Sequence, residues 1–387
     1  MHESDSVGKR INKYRKMRGM TQAQLATAAD VGRSMLATVE SGSVIPSSAW
    51  VGSVARALRV DASRLYADDD IEQTLDIVPI LRRTLAATDL MDDGIEPLPL
   101  GELRAEVARV GDWRRGTKYR KIAEVLPDLV DQLLVSGQEV GEPAYALLTD
   151  AYRAANTLSH KMGYSDLSLT ATERMQWAAT KSGDPLLLAT VHYVKAATLS
   201  RIGAGKQALR LLTRAMSDIE DLIGKDRTAA AVYSTLHMRA GTISATLGDT
   251  DASRSHLDEA SQLAASFGEG VVYDTVVGPT NVRLYKICAE VDLGNPEKAV
   301  EISQGTRIPR GMATERQTYF WLDSARAHLL NGDPDSAIDA LAESRSVSTE
   351  HFRSSPTVKA AIHAVAEQQR RASDALRSLA NSAGIAD

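Results

Sequence analysis

The sequence predicts an all-α protein, in which a small head of five helices precedes a long array of helical pairs. Three observations support this fold class. Aromatic residues make up only 5% of the chain and alanine is abundant, which favours closely packed helices over β-sheet. Apolar residues recur at helical spacing through most of the 387 residues. A glycine-centred turn recurs five times between residues 163 and 332.

Length and composition favour a multidomain globular protein. A chain of 387 residues exceeds what one hydrophobic core ordinarily organises, so two or more domains are expected. The single cysteine, Cys288, excludes an internal disulfide and most thiolate metal sites. No signal-peptide pattern and no apolar stretch of membrane-spanning length occurs. We therefore expect a cytoplasmic protein with no membrane contact.

Catalytic and metal-binding motifs are missing from the sequence. The eight histidines form no HxxxH or HExxH pair, and no nucleophile stands in a pattern with a general base. The segment IGAGK at 202–206 lacks the flanking residues of a phosphate-binding loop. We therefore expect no enzyme, no metal and no cofactor.

Charge is divided unevenly along the chain, whose formal net charge is -5. Residues 1–66 hold ten lysines and arginines and five acidic residues, so this part carries +5 and the remainder carries -10. A basic head can meet phosphate groups, whereas the acidic remainder repels them. This division confines any contact with nucleic acid to the head.

The head shows the start and stop signals of five short helices. Residues 7–18 place Val7 and Ile11 on one apolar stripe, and Gly19 ends that helix. Thr21 and Gln24 form a capping-box pattern that begins the second helix. The remaining three helices are predicted to begin at Gly32, Ser47 and Asp61.

The segment from Val7 to Tyr66 resembles the Cro/phage-repressor type of helix-turn-helix, also called the XRE family. The spacing agrees throughout this segment. The matching residues are Arg15, Gly19, Thr21, Gln22, Leu25, Ala26, Val31, Ser34, Leu36, Glu40, Gly42, Pro46, Leu58 and Leu65.

This resemblance implies roles for particular side chains. In the XRE family the third helix enters the major groove of DNA. The base-reading residues implied here are Arg33, Ser34 and Thr38. The phosphate contacts implied are Gln22, Thr21, Ser41 and Ser43. The resemblance also implies a structural ion pair between Arg15 and Glu40. The alternatives are a helix-turn-helix that does not bind DNA, and an Arg33 that is merely a solvated surface residue.

From residue 141 onward the recurring turns resemble those of tetratricopeptide repeats. Each turn follows one helix and precedes a second helix that begins with small residues. The turn glycines are Gly163, Gly203, Gly248, Gly294 and Gly332. Such an array forms an α-solenoid, whose concave surface is a binding site. The small residues Ala208, Ala299 and Ala337 are expected to allow close packing.

The first helix of each pair should form the inner wall of this solenoid. Alignment on the turn glycines predicts the ligand-facing residues Asn281, Arg153, Tyr193, Met238, Thr242, Tyr319 and Arg326. The amide of Asn281 can donate and accept hydrogen bonds at once, which suits a peptide backbone. The alternatives are that Asn281 caps its own helix and that Tyr319 is a core residue.

We expect four segments along the chain. Residues 1–67 form the DNA-binding domain, and 68–140 form a helical linker with the first helices of the array. Residues 141–350 form the repeat domain for effector binding and dimerisation, and 351–387 form capping helices.

The combination resembles peptide-responsive quorum-sensing regulators, and the composition is similar to that of actinobacterial regulators. It implies a sequence-specific transcription regulator that binds double-stranded DNA, acts as a homodimer, and responds to a peptide or small-molecule effector or a protein partner. The alternative is an interaction scaffold whose repeat array binds a partner protein, with the head as a tether or a module that does not bind DNA.

Overall fold

The structure, a computed structural model, describes residues 6–66, 77–86, 94–369 and 373–385. Within these ranges it is helical apart from one short β-hairpin. Residues 68–76 and 87–93 of the predicted helical linker lie outside the described residues.

The head, residues 6–66, contains four α-helices and one 3-10 turn. The helices are α1 (Val7–Met17), α2 (Gln22–Ala29), α3 (Arg33–Glu40) and α4 (Ser48–Leu58). Both halves of the predicted capping box are present, because the Thr21 hydroxyl accepts from the Gln24 amide and the Gln24 side chain accepts from the Thr21 amide. The predicted fifth helix is only the 3-10 turn Ala62–Leu65, which is too short for an α-helical repeat of hydrogen bonds.

Three helices follow the head. After them come five helical pairs, which we call the array. The leading helices are α5 (Ile77–Ala86), α6 (Leu100–Arg115) and α7 (Tyr119–Val140). The pairs are α8 (Glu142–Lys161) with α9 (Ser165–Ser182), α10 (Pro185–Arg201) with α11 (Gly205–Ile219), α12 (Arg227–Thr246) with α13 (Thr250–Phe267), α14 (Pro279–Asp292) with α15 (Pro296–Gln304), and α16 (Thr314–Leu330) with α17 (Pro334–Val347).

Every pair turns at a predicted glycine. The five turn glycines have φ between 77° and 82°, the left-handed region that glycine adopts without a Cβ penalty. The small residues act as expected, since Ala208, Ala299 and Ala337 are fully buried. At Gly241 an added Cβ would lie 2.6 Å from Leu257, so the α12–α13 pair requires glycine there. The predicted all-α solenoid is confirmed.

A two-stranded hairpin interrupts the helical pattern between α13 and α14. Strand β1 (Gly270–Val272) pairs antiparallel with β2 (Thr275–Val277), with Val271 opposite Val276. The turn residues Tyr273 and Asp274 have φ of 43° and 52°. The sequence did not predict this hairpin, because strands of three residues are too short for a period-2 pattern to be detected.

Three short helices follow the array, and the head packs against this end of the molecule. They are α18 (Thr349–Ser354), α19 (Pro356–Gln368) and α20 (Asp374–Ser382). One hydrophobic core runs from α5 to α14, while a second joins the head to α14–α20. The head therefore shares a continuous apolar core with the last part of the array.

A buried ion pair fixes the head on the array. Arg326 on α16 and Asp292 at the end of α14 lie 2.6 Å apart, and both side chains are 2% exposed. Arg326 Nε donates to the backbone carbonyl of Ile45, at 2.8 Å. The Ser47 hydroxyl donates to Asp292 Oδ2, at 2.7 Å. The loop between α3 and α4 is thus held by two charged groups of the array.

The head and the array approach closely through their backbones at Gly52 on α4. A Cβ added at Gly52 would lie 2.0 Å from the carbonyl oxygen of Arg201 at the end of α10. On the other side, a Cβ at Gly203 would lie 2.6 Å from the carbonyl oxygen of Gly52. Two glycines therefore allow α4 to press against the α10–α11 turn.

None of the described helices is both long enough and apolar enough to span a membrane.

Candidate DNA interface and the arginine-lined cavity

The second and third helices of the head present an exposed polar edge. Asp30, in the left-handed conformation, makes the turn after α2, and Gly32 precedes α3 without a side-chain cap. Arg33 and Ser34, in the first turn of α3, are exposed. Thr38 is half-buried, and its hydroxyl donates to the Ser34 carbonyl at 2.7 Å. Two of the three predicted base readers are thus open to a partner, and the third is one turn further on.

A buried carboxylate ties three segments of the head together. Arg15 Nε and Nη2 donate to the two oxygens of Glu40, at 2.6 and 2.8 Å. Gln22 Nε2 donates to Glu40 Oε2 at 2.9 Å, and Arg15 Nη1 donates to the Met20 carbonyl at 2.9 Å. Burial alone would raise the pKa of Glu40, but the hydrogen bonds from Arg15 and Gln22 lower it. The network sets the relative positions of α1, α2 and α3.

The predicted phosphate contacts lie around this network. Thr21 is exposed, although its hydroxyl accepts the capping hydrogen bond from Gln24. The hydroxyls of Ser41 and Ser43 are 2.8 Å apart, and Ser41 also donates to the Thr38 carbonyl. Because Gln22 is hydrogen-bonded to Glu40, the start of α2 lies beside the end of α3, which Ser41 and Ser43 follow.

Helices of the array and the hairpin line a cavity of about 90 Å³. Its walls come from α8, α10, α12 and α16, which are the first helices of four of the five pairs, together with α6 and the hairpin. Five arginines line it: Arg114, Arg153, Arg201, Arg239 and Arg316. Asp274 and Glu315 are the carboxylates among its lining residues. The cavity is therefore strongly cationic.

The hairpin forms one wall of this cavity and is held by polar contacts from three helices. Arg114 Nε donates to Asp274 Oδ2 at 2.7 Å, and Arg115 also pairs with Asp274. Arg153 donates to the Tyr273 carbonyl at 2.6 Å and to the Thr275 hydroxyl at 2.7 Å. The Tyr273 hydroxyl donates to Asp184 at the start of α10. Most of the polar groups that face the hairpin are cationic.

A pair of tyrosines lies deeper in the same region. The hydroxyls of Tyr193 and Tyr285 are hydrogen-bonded, and the Arg239 guanidinium lies 4.6 Å from the centre of the Tyr193 ring. Burial alone would raise the pKa of Tyr193, but Arg239 and Arg316 lower it to about 8. Burial raises the pKa of Tyr285, so Tyr193 is the tyrosine that ionises first.

Burial also alters the arginines themselves. It lowers the pKa of Arg201 to about 10. Burial, together with the neighbouring Arg114, lowers the pKa of Arg153 to about 9. Both shifts have the sign expected for cations that lack a full counter-charge. Across the described ranges, no group of three or more His, Cys, Asp and Glu side chains is arranged to hold a metal ion.

Comparison with known proteins assigns the head to a family. The model of a helix-turn-helix domain matches residues 6–65. The immunity repressor protein of Bacillus phage phi105 is 38% identical over 66 residues, 17% of this chain and 46% of the repressor. YazB, an uncharacterized HTH-type transcriptional regulator of Bacillus subtilis (strain 168), is 35% identical over 63 residues, 16% of this chain and 91% of YazB.

The chain belongs to the helix-turn-helix transcriptional regulators. The XRE-type head predicted from the sequence is thereby confirmed. The match spans less than half the length of the phage repressor, and neither relative extends over the array. A solved structure of Bacillus thuringiensis PlcR in complex with the peptide PapR7 and DNA aligns with 68% of this chain and 95% of its own. Its TM-score of 0.31 and 16% identity are too low to transfer any function.

Three of the seven predicted ligand-facing residues line the cavity of this regulator, namely Arg153, Tyr193 and Tyr319. Arg326 instead pairs with Asp292 and donates to the Ile45 carbonyl of the head. Its position on the first helix of a pair was predicted correctly, but the neighbouring surface is occupied by the head and not by a ligand.

The other three predicted residues, Asn281, Met238 and Thr242, do not line the cavity. Asn281 is 1% exposed and donates to the Val276 carbonyl at 2.7 Å, so it holds the hairpin in place. Met238 is fully buried. The Thr242 hydroxyl donates to the Arg239 carbonyl of its own helix. Their prediction as ligand contacts is corrected, because none of the three side chains lines the cavity.

Sequence reasoning missed Arg114, Arg201, Arg239 and Arg316. Arg239 immediately follows the predicted Met238, and one residue rotates the side-chain direction by about 100° around a helix. Arg201 ends α10 two residues before the predicted turn glycine Gly203, so the sequence places it at the end of a predicted inner helix. Arg239 and Arg316 lie within one helical turn of the predicted Met238 and Tyr319, so an arginine beside a predicted wall position is a signal that the sequence contains.

The tyrosine pair of this regulator can be observed directly by titration. We expect one tyrosine of the folded protein to ionise near pH 8, and the Tyr193→Phe variant to lack this transition in tyrosinate absorbance. The Tyr14→Phe control should retain it. Since the pKa is below the ordinary value of about 10, the associated stabilisation is complete above pH 10 and disappears as the pH falls through about 8. A first transition that persists in Tyr193→Phe would contradict the assignment.

Proposed function

We propose that this regulator reads operator DNA through α3 and that the occupant of its concave cavity sets its DNA affinity. The observation that carries the first part is the exposed start of α3, where Arg33 and Ser34 are open to solvent. Arg33 has the length and geometry for a bidentate contact with guanine. Gln22, Thr21, Ser41 and Ser43 surround this helix as phosphate contacts.

We propose further that two copies bind together. Helix-turn-helix proteins commonly bind as dimers to half-sites one DNA turn apart, which doubles the contact surface. The basic charge of the head favours the DNA backbone, and the acidic charge of the remaining chain limits contact to the head. The alternative, a scaffold with a head that does not read DNA, predicts no sequence preference.

The second part of the proposal rests on two helices that lead from the cavity to the head. The Arg201 side chain lines the cavity, while its own carbonyl oxygen packs against Gly52 of α4. On α12, Arg239 lines the cavity and Thr246, at the helix end, donates to Asp292 at 3.2 Å. A shift of α10 or α12 around an effector is thus transmitted to the surface that holds the head.

The cavity also limits the effector. A cavity of about 90 Å³ has room for a small chemical group, such as the end group of a peptide. A peptide effector would therefore reach the arginines through its terminus or through one side chain.

The base-reading role of Arg33 is tested by selecting fragments from random DNA with the purified protein. The wild type should enrich a palindromic motif. Arg33→Ala should lose its preference at one base pair of each half-site, by about 1–3 kcal/mol. Gln22→Ala should weaken all sequences alike, and Arg104→Ala, on the exposed surface of α6, should change nothing. No enrichment by the wild type, or an unchanged motif in Arg33→Ala, would favour the scaffold alternative.

The contact between α4 and α10 is tested by Gly52→Ala. Alanine in a helix is ordinarily more stable than glycine by about 0.5–1 kcal/mol, so a purely local effect would stabilise the protein. We expect the opposite, because the new Cβ would collide with the Arg201 carbonyl. Amide hydrogen exchange should accelerate in α4 and at the end of α10. The control Gly101→Ala, whose Cβ would meet nothing within 4 Å, should leave exchange there unchanged, and equal behaviour of the two variants would refute the contact.

A further inference from the structure

The charges around the cavity do not balance. Arg114 pairs with Asp274, and its Nη1 lies 3.5 Å from Glu315. Glu315 also lies 3.6 Å from both Arg316 and Lys161. Both carboxylates of the lining are thus engaged at one side of the cavity. The remaining arginines must be satisfied in another way.

Arg153, Arg201 and Arg239 have no carboxylate within 4.0 Å among the described residues. Arg153 donates to the hairpin carbonyl and hydroxyl already described, and Arg201 donates to the Thr198 hydroxyl at 2.9 Å. Arg239 Nη2 donates to the Tyr285 hydroxyl at 3.1 Å. Three cations on three adjacent helices therefore share only neutral acceptors, an arrangement that is unfavourable away from water.

One donor in the cavity wall has no acceptor at all. Arg239 Nε is buried and makes no hydrogen bond, while its guanidinium lies 4.6 and 5.4 Å from the centres of the Tyr193 and Tyr285 rings. Buried donors without partners are rare in folded proteins. A guanidinium held in position by two rings, with a free N–H, is preorganised for an incoming oxygen anion.

We infer that this cavity binds a small oxyanion, a carboxylate or phosphate group, on Arg153, Arg201 and Arg239. The inference rests on the proposed function, since it names the chemical class of the effector, or of the effector group, that reaches the cavity. The cavity of about 90 Å³ has room for such a group. Bidentate hydrogen bonds from guanidinium groups suit both kinds of anion.

The hairpin adds a negative charge to the wall of this site. Asp274 places a carboxylate on Arg114 and Arg115, at the edge of the space that the anion would enter. Removing its charge increases the positive potential of the cavity. Asp274→Asn should therefore bind the anion more tightly, whereas loss of an arginine should weaken binding.

The test is calorimetric titration of the full-length protein with orthophosphate and, separately, with malonate, at constant ionic strength. One equivalent of at least one anion should bind, and the pKa of Tyr193 should rise from about 8, because the anion neutralises the field of Arg239 and Arg316. Binding of phosphate alone assigns a phosphorylated ligand, and binding of malonate alone assigns a carboxylate ligand. Absence of binding of either at about 10 mM overturns the inference.

Variants locate the binding. Arg239→Gln and Arg201→Gln should each weaken the affinity about tenfold or more, and two variants on different helices protect the test against one that fails to fold. The matched control Arg214→Gln, at an exposed position of α11, should bind like the wild type. Equal affinity in Arg239→Gln, Arg201→Gln and the wild type would place the anion elsewhere and overturn the inference.

A DNA titration separates this inference from the proposed function. If the anion acts as effector, it should change the Kd for the selected operator in the wild type and not in Arg239→Gln, which controls for the general effect of salt on DNA binding. An anion that binds without changing the Kd for DNA would support the site and contradict the proposed coupling. Operator binding without anion binding would contradict the site alone.

Discussion

The buried ion pair between Asp292 and Arg326 determines how the two parts of this regulator are assembled. Such a pair adds little net stability, because the loss of solvation offsets much of the Coulomb attraction. Its importance lies in the remaining hydrogen-bonding capacity, part of which is filled by the Ile45 carbonyl and the Ser47 hydroxyl of the head. Without the head, these buried charged groups would lose partners at the core of the last repeats. Docking of the head and packing of the array therefore depend on each other.

This dependence gives the array a physical means of acting on the head. Interfaces made of close backbone contacts and buried charges tend to have discrete arrangements and do not deform continuously. The cavity lies on α10 and α12. The end of α10 packs against Gly52 of the head, and the end of α12 donates to Asp292, the array residue that also accepts from Ser47 of the head. An occupant of the cavity that favours one arrangement of these helices necessarily favours one arrangement of the head.

Local chemistry explains which features the sequence could predict. The capping box at Thr21 and the turn glycines depend on residues a few positions apart, so their signals are complete within a short window. The cavity is different, because it combines side chains from α6, α8, α10, α12, α16 and the hairpin. Met238 was predicted where Arg239 is found, since alignment on turns fixes the helix but not the rotation to within one residue. Arg326 was placed on the correct face, but its partner on that face, the head, is distant in sequence.

The most direct test of the docked arrangement is a distance distribution between spin labels on the head and on the array. Labels at Lys13→Cys and Glu124→Cys, both at exposed positions, would be measured with Cys288 replaced by serine. If the head is docked as described, the labels should give one narrow distance in this background. The distribution should become broad after Arg326→Leu, which removes the ion pair with Asp292 and the hydrogen bond to the Ile45 carbonyl. A broad distribution already present with Arg326 intact, and unchanged by its loss, would contradict the assembly described here.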